Sequence, residues 1–399
     1  MILEFKCSNF RSINKEITFS MQAAKDDTLS EQLINFDTKN FLRTSFIYGP
    51  NGSGKTTLLR AINRMANLVG TSYRNQPGDE LAFDPHKLNQ DNPTHFSMWF
   101  EKNGIKYFYE IKYTSEKIIE ENLYYSPNGR LVEIFERDDL TIEFGNTFEK
   151  DKGDCENQLK ENKLLLSVAA NITKIEPIDD AFRFFREDIV FFDALGPMWR
   201  RVNALFIEKD TEFKKLVVKF MTTFCPGLKD INVKIERRNV SEDEQPELFE
   251  NRPSRYYERI IVTVIYEEFS VDLRDESSGI QKIFDYICPV LKAVSSGNIF
   301  LCDEIERSLH PKVVEELVKF FTENKTNNAQ GIFTTHDVEL MDPEIVRRDQ
   351  IWFAKLNADG RETDLYSLTD LNDVRKGENI RKGYLEDRYG ALPSFPEED

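Results

Sequence analysis

The chain has 399 residues, 40% of them hydrophobic, enough for one large domain or two ordinary ones with a sizeable core. Its 53 basic and 70 acidic residues leave a formal net charge of −17, a field that repels nucleic acid and anionic membranes at long range; it excludes a general polyanion-binding surface but not a local basic groove. Cys7, Cys155, Cys225, Cys288 and Cys302 show neither metal-ligand spacing nor a pairing pattern, no apolar run reaches membrane-spanning length, and the N-terminal stretch lacks the apolar centre of a signal peptide, which together lead us to expect a cytoplasmic protein off the membrane.

The opening "MILEFKCSNFRSINKEITF" alternates like a strand. "SFIYGPNGSGKTTLLRAI", Ser45 to Ile62, then contains G-x-x-x-x-G-K-T as Gly49, Gly54, Lys55 and Thr56, with an apolar strand before it and a helical pattern after it. Phosphate chemistry needs these residue types. Gly52 and Gly54 permit a loop whose N–H groups turn inward, so that Asn51, Gly52, Ser53, Gly54, Lys55, Thr56 and Thr57 form the expected nucleotide cradle. The helix N-terminus adds positive dipole, Lys55 reaches the outer phosphates, and the Thr56 hydroxyl can ligate Mg²⁺. Without ligand Lys55 is expected to be solvated.

Between Lys55 and Ser278 the pattern changes several times. "THFSMWFEKNGIKYFYEIKYTSEKIIEENLYYS", Thr94 to Ser126, alternates aromatic and polar residues around a Lys-Asn-Gly turn, and Gly129 to Gly145 continues it; this reads as antiparallel sheet. From about Glu156 to Pro226 the reading is helical without sustained heptads, including an amphipathic helix at Phe213 to Phe224. Arg237 to Arg255 is polar and proline-containing, a mobile-loop composition, and "RYYERIIVTVIYEEFSVDL" returns to strand.

In "DESSGIQKIFDYI", Asp275 to Ile287, Ile280, Ile283, Phe284 and Ile287 fall at helical spacing behind two serines and a glycine, a start that lets an anion approach the backbone. "GNIFLCDEIERSLHP", Gly297 to Pro311, gives a short buried strand ending in Asp303-Glu304, followed by a helix from about Lys312. Asp303 suits a Mg²⁺ shell, and Glu304 a general base for water. In "GIFTTHDVEL", Gly331 to Leu340, another buried strand ends near His336, where a neutral imidazole can donate to a γ-phosphate. The last sheet strand is expected around Gln350 to Ala354. Basic residues then cluster at Arg375, Lys376, Arg381 and Lys382, with Tyr384, Arg388 and Tyr389 at helical offsets.

This order of motifs resembles that of ATP-binding-cassette ATPases, in particular their SMC and RecF branch. "ESSGIQK" resembles the family's signature motif, carried by Ser278, Gly279 and Gln281, with isoleucine where the commonest form has a second glycine. The resemblance implies an α/β P-loop head of ABC/SMC type with a mixed sheet, plus an inserted β-rich and helical region. It implies ATP and Mg²⁺ as cofactors, Thr56 and Asp303 on the metal, Glu304 and His336 as catalytic groups, and a homodimer or higher oligomer whose ATP sites are shared. Ser278 would then face the γ-phosphate on another subunit's P-loop, and Glu306, Ser308 and His310 would lie at the dimer interface. "SNFRSI" resembles the second-strand opening of RecF-like heads; Arg11 in it either approaches the nucleotide or, the reading we prefer, is an exposed strand arginine. No Q-loop is evident, Gln90 being the one glutamine in a plausible region.

We divide the chain into 1–90, the first half of the head; 91–150, its antiparallel sheet; 151–255, a helical insertion and loop; 256–374, the second half of the head; and 375–399, a tail. "GYLEDRYGALP" resembles the tail of small AAA-type ATPases of bacterial abortive-infection systems, the group related to RloA and AbiL. That resemblance implies a sensor or regulator of a separate effector in antiviral defence, a Toprim-type nuclease being one form of effector, and a tail that binds the partner. Too few residues follow the head to build a fused Toprim domain as in OLD-family nucleases. The competing readings are a RecF-like DNA-maintenance clamp, which leaves nucleic acid open as a partner, and a scaffold that binds ATP but scarcely hydrolyses it.

Overall fold

A computed structural model describes residues 1–192, 198–239, 256–357, 361–371, 374–375 and 377–392. Along the chain, β1 (Ile2–Ser8), β2 (Ile17–Ser20), β3 (Leu33–Phe36), β4 (Lys39–Leu42) and β5 (Thr44–Tyr48) lead to the helix α1 (Lys55–Thr71). Strands β6 (Thr94–Lys102), β7 (Ile105–Tyr113), β8 (Ile118–Ser126), β9 (Val132–Asp138) and β10 (Thr141–Phe144) follow, then α2 (Cys155–Gln158), α3 (Leu165–Ile172), α4 (Glu176–Arg183) and β11 (Ile189–Phe192). Next come α5 (Met198–Lys209), α6 (Thr211–Phe224), β12 (Leu228–Asn239), β13 (Tyr256–Tyr266), β14 (Ser270–Asp272) and α7 (Ser278–Ser296). The chain closes with β15 (Ile299–Cys302), α8 (Pro311–Thr322), β16 (Gln330–Thr334), β17 (Ile351–Asn357), β18 (Glu362–Ser367) and α9 (Ile380–Leu385).

Two compact units divide these elements: residues 1–192, 293–306 and 318–399 form the first, and residues 193–292 and 307–317 the second. The first unit is α/β with two main sheets. One is seven-stranded and antiparallel, in the order β10-β9-β8-β7-β6-β1-β2. The other is six-stranded and mixed, β11-β15-β16-β5-β17-β18, parallel except for the last pair. Every residue of β5, β15 and β16 is buried, as in a parallel sheet covered on both faces; β15 is apolar throughout, whereas β5 and β16 also bury polar residues at their ends, Thr44 and Ser45 in one and Gln330 and Thr334 in the other. Helix α1 joins both sheets into one core: Leu58, Leu59, Ile62 and Met65 share a cluster with Phe96 and Met98 of β6 and with Ile47, Leu301 and Ile332 of the parallel strands. The buried Gln330 amide, at the start of β16, ties that strand to the start of β1 and the end of β4. It accepts from Ile2 N (2.7 Å) and donates to Ile2 O (3.1 Å) and Leu42 O (3.0 Å).

The second unit contains α5, α6, the three-stranded antiparallel sheet β12-β13-β14, most of α7 and the start of α8. Its helix α6 starts on an Asp210 cap that accepts from Phe213 N (2.9 Å) and buries Phe213, Val217, Phe220 and Met221 along one stripe.

Three local expectations need correction. Residues 189–192, read as helical, form β11, which pairs in parallel with β15. The final strand is not at 350–354: β17 runs on to Asn357 and β18 returns beside it. Arg237 to Asn239 belong to β12 rather than to a loop, and the rest of the expected mobile loop lies outside the described residues.

Candidate functional site

Strand β5 ends at Tyr48 and α1 begins at Lys55, and the loop between them holds three glycines in the left-handed region: Gly49 (φ 146°), Gly52 (φ 79°) and Gly54 (φ 101°). Space forbids a side chain at two of them. A Cβ on Gly49 would stand 2.1 Å from Ala354 O, and one on Gly54 would stand 2.0 Å from Thr363 Oγ1. Gly52 is open around its Cα, so its requirement is conformational alone. The loop is held from behind by hydroxyls far apart in sequence: Thr363 Oγ1 donates to Ser53 O (2.9 Å) and lies 2.8 Å from Ser12 Oγ, which in turn lies 3.0 Å from Thr57 Oγ1. Neither Ser12 nor Thr363 is singled out by the sequence; β18 carries no motif.

Lys55 is not solvated. Its side chain is buried, and its ammonium donates to Gly49 O (2.8 Å) and Pro50 O (3.0 Å), so the loop's own carbonyls hold it in place. Burial lowers its pKa, while Asp303, Glu304 and Glu306 pull the other way. Asn51 and Gly52 are exposed, and Ser53 is buried with a hydroxyl oxygen that has no partner.

Thr56, at the second position of α1, meets the end of β15. Its hydroxyl lies 2.8 and 3.0 Å from the two carboxylate oxygens of Asp303. The Thr334 hydroxyl, at the end of β16, fixes both acids. It donates to Asp303 Oδ1 (2.6 Å) and accepts from Glu304 N (2.8 Å). Glu304 takes a left-handed φ of 51°, which a non-glycine residue adopts only where its neighbours hold it. Glu306 links the same strand ends: Oε2 accepts from Thr335 Oγ1 (2.7 Å) and Oε1 from His336 N (2.7 Å). The His336 ring itself is exposed. Desolvation and then Lys55 lower its pKa from the usual 6.5 against Glu306, Glu304 and Asp303, so the imidazole is neutral at pH 7.

A cavity of about 700 Å³ is lined by the loop from Asn51 to Thr57, by Glu304, by Ser12 and Arg11, by Arg361 and by residues 84–88; Asp303 and His336 are not among its lining residues. Arg11 is not a strand residue. It sits in a turn with φ 52°, and its guanidinium pairs with Asp84 (3.2 Å) at the cavity wall. Gln90 donates its amide to Lys87 O and does not line the cavity.

The residues suit a magnesium nucleotide. The cavity has the size of a small-molecule site. Glycine-opened backbone and an orphaned Ser53 hydroxyl face phosphate chemistry. Thr56 and Asp303 bring one hydroxyl and one carboxylate together, a donor set for a cation that keeps phosphate and water as its other ligands. Among the described residues no group of three or more His, Cys, Asp or Glu could hold a metal ion alone.

A family model described as "AAA domain, putative AbiEii toxin, Type IV TA system" matches residues 45–342, well over half of the chain. The chain belongs to this family. The matched span runs from β5 to just beyond His336, so this AAA domain contains the glycine loop, the acid pair and the segment around Ser278. Solved structures with a similar chain path include an SMC head domain from Thermotoga maritima, 14% identical, covering 92% of this chain and 98% of that chain with a TM-score of 0.43. They also include an Smc head bound to the C-winged helix domain of ScpA, at 14% identity, 92% and 97% coverage and a TM-score of 0.47. A third is an Smc head domain with an extended coiled coil bound to the C-terminal domain of ScpA derived from Pyrococcus furiosus, at 12% identity, 97% and 99% coverage and a TM-score of 0.41. No curated protein matches the chain.

Ser278, Gly279 and Gln281 lie in the second unit of this AAA protein, at the N-terminus of α7. Ser278 is exposed, and its neighbour Ser277 caps the helix, accepting from Ile280 N at 3.3 Å. The Gln281 amide folds back to donate to Glu276 O (2.8 Å) and Arg274 O (3.2 Å), steadying the turn that presents Ser278. Ser308 is exposed with φ 59°, and His310 accepts from Lys312 N through Nδ1 (3.2 Å). No helix among the described residues is long and apolar enough to cross a membrane.

Proposed function

We propose that the chain is a dimeric, Mg²⁺-dependent ATPase that senses a signal and regulates a separate effector protein in bacterial antiviral defence. The observation that carries the ATPase reading is the relay Thr56–Asp303–Thr334–Glu304, in which two hydroxyls lock one carboxylate and the backbone of the next beside the phosphate loop. With ATP in the cavity, the loop N–H groups and Lys55 bind the phosphate oxygens, Lys55 exchanging the carbonyls of Gly49 and Pro50 for the ligand. Magnesium, held by Thr56 and Asp303, would supply charge neutralisation across the outer phosphates. Glu304 accepts the proton of the attacking water, and neutral His336 donates to the γ-phosphate.

The hydroxyl of Ser278 and the N-terminal N–H groups of α7 from a second copy complete the phosphate shell, which makes turnover depend on dimer formation. The acidic net charge supports a protein-regulating role over DNA clamping. A cytoplasmic location follows from the same reading, and the basic, exposed positions of the tail, Arg375 and Lys382, are the proposed effector contacts.

Phosphate release measured against protein concentration tests the proposal. Specific activity should rise as dimers form and should vanish in EDTA. Rates independent of protein concentration across the dimerisation range would reject the shared site, and absence of any turnover with Mg²⁺ would reject the enzyme.

A further inference from the structure

A second cavity, of about 470 Å³, lies beside α1 and shares Arg11 with the nucleotide cavity while containing none of the glycine loop. Its polar wall is one face of the helix: Arg60, Asn63, Arg64 and Asn67 follow at helical spacing. Leu81 and Phe191 supply apolar wall opposite.

The charges here are poorly satisfied by the protein. Arg11 and Arg64 share a single carboxylate, Asp84, at 3.2 and 2.7 Å, leaving an excess positive charge. Arg64 Nη1 and Arg11 Nε are buried without partners. Arg60 stands four residues before Arg64 on the same face, an arrangement of like charges that disfavours a helix unless something anionic lies against it. Among the described residues Arg60 makes no ion pair, and the side-chain amides of Asn63 and Asn67 make no hydrogen bond. Glu80 is the one acidic residue lining the cavity. In a chain of net charge −17, three converging arginines run against the composition.

The remaining chemistry narrows the ligand. The cavity exceeds what an inorganic anion fills and has the size of a small organic site. The Arg11 and Arg64 guanidinium carbons lie 5.7 and 5.8 Å from the centre of the buried Phe10 ring, which holds both side chains in place. A guanidinium so fixed offers a plane on which a base can stack, and asparagine amides can pair with the edge of a base. We infer that this cavity binds a phosphorylated nucleoside, its phosphate on Arg60 and Arg64 and its base against the Arg11 guanidinium, the amides and the apolar wall. The source is a free nucleotide or the phosphorylated terminal nucleotide of a strand. The site is separate from the ATP site and does not depend on turnover there.

Calorimetric titration of Lys55→Ala protein, in which the glycine loop is disabled, tests this with AMP, with a 5′-phosphorylated single-stranded oligonucleotide, and with adenosine and the unphosphorylated oligonucleotide as controls. The wild type with azido-AMP, photo-crosslinked in saturating MgATP and mapped by peptide, provides the same reading without that substitution. At least one phosphorylated probe should bind, the control should bind about tenfold more weakly or worse, and Arg60→Glu or Asn67→Ala should weaken binding to a similar degree. Both positions are exposed, and unchanged melting temperatures would show the variants folded. Binding of AMP alone assigns the site to free nucleotides; binding of the oligonucleotide alone assigns it to strand ends. The inference is overturned if neither phosphorylated probe binds, if the controls bind equally well, if Arg60→Glu and Asn67→Ala leave affinity unchanged, or if crosslinks fall only on the glycine loop.

Discussion

The Thr56 hydroxyl touches both carboxylate oxygens of Asp303, at 2.8 and 3.0 Å, although 247 residues separate the two. The contact joins the first turn of α1 to the end of β15. A parallel sheet places these side chains together because β5 and β15 both flank β16 and all three point the same way. Asp303→Asn keeps the shape and removes the charge. We expect it to lower Mg²⁺-dependent ATP affinity by roughly 10-fold or more while leaving Mg²⁺-free binding near wild type. Equilibrium binding with and without EDTA makes the comparison, and an unchanged Mg²⁺ response would count against the assigned metal ligands.

His336 has a pKa below the ordinary imidazole value because of partial desolvation and Lys55. A lowered pKa means the neutral donor persists across pH 7 and is lost only as the solution becomes acidic, below about 6.5. The rate at saturating ATP should therefore be flat from neutral to mildly alkaline pH and should fall on the acid side. His336→Gln, which keeps an N–H donor and cannot titrate, should lower the plateau and remove that acid limb. An acid limb persisting in His336→Gln would assign the titration elsewhere.

The buried pair Glu121–Arg137 does not line the nucleotide cavity; it braces β8, β9 and the start of α3 in the first unit. Both side chains are 0% exposed at 3.4 Å, Glu121 also accepts from Tyr109 Oη and from Leu165 and Leu166 N, and Arg137 donates to the carbonyls of Lys160, Glu161 and Lys163. The pair thus anchors the start of α3 to β8 and β9. Glu121→Ala leaves an uncompensated buried guanidinium and should cost about 3–5 kcal/mol. Denaturant melts measure this, and a loss below 1 kcal/mol would mean water reaches Arg137.

The tail is partly core. Tyr384 and Tyr389 are 6% and 4% exposed, and their rings lie 5.7 and 5.5 Å from Phe353 of β17. Arg381 pairs with Glu339 at 2.7 Å, three residues after His336. Removing 375–399 would therefore strip Phe353 as well as any partner contact. Tyr384→Ala should destabilise by about 3 kcal/mol. Charge reversal at the exposed Arg375 and Lys382 should spare both melting temperature and turnover while abolishing co-purification with the effector. Undiminished co-purification would remove the tail from the proposed interface.

Much of the site was legible because its chemistry is local in sequence. The glycine loop, the acid pair after "IFLC" and the histidine after "GIFTT" each announce themselves within ten residues. What was missed is long-range. Thr334 reads as one more β-branched strand residue, and nothing in "RETDLYS" shows that Thr363 will brace Ser53 from behind. Strand β11 is four residues of "IVFF" between helical patterns, too short for periodicity to separate strand from helix. The burial of Lys55 leaves no trace in the sequence because its partners are backbone carbonyls, which every residue carries.

Glu304→Gln tests the hydrolytic site most directly. The amide keeps the side chain's size but cannot take a proton from water. Nucleotide and Mg²⁺ binding should survive, since Lys55, Thr56 and Asp303 are untouched. ATP hydrolysis should drop by ~10²-fold or more, and light scattering in Mg²⁺ and ATP should show the closed dimer persisting. Hydrolysis by Glu304→Gln at the wild-type rate would contradict the assignment of Glu304 as the general base and, with it, the reading of this cavity as the hydrolytic site.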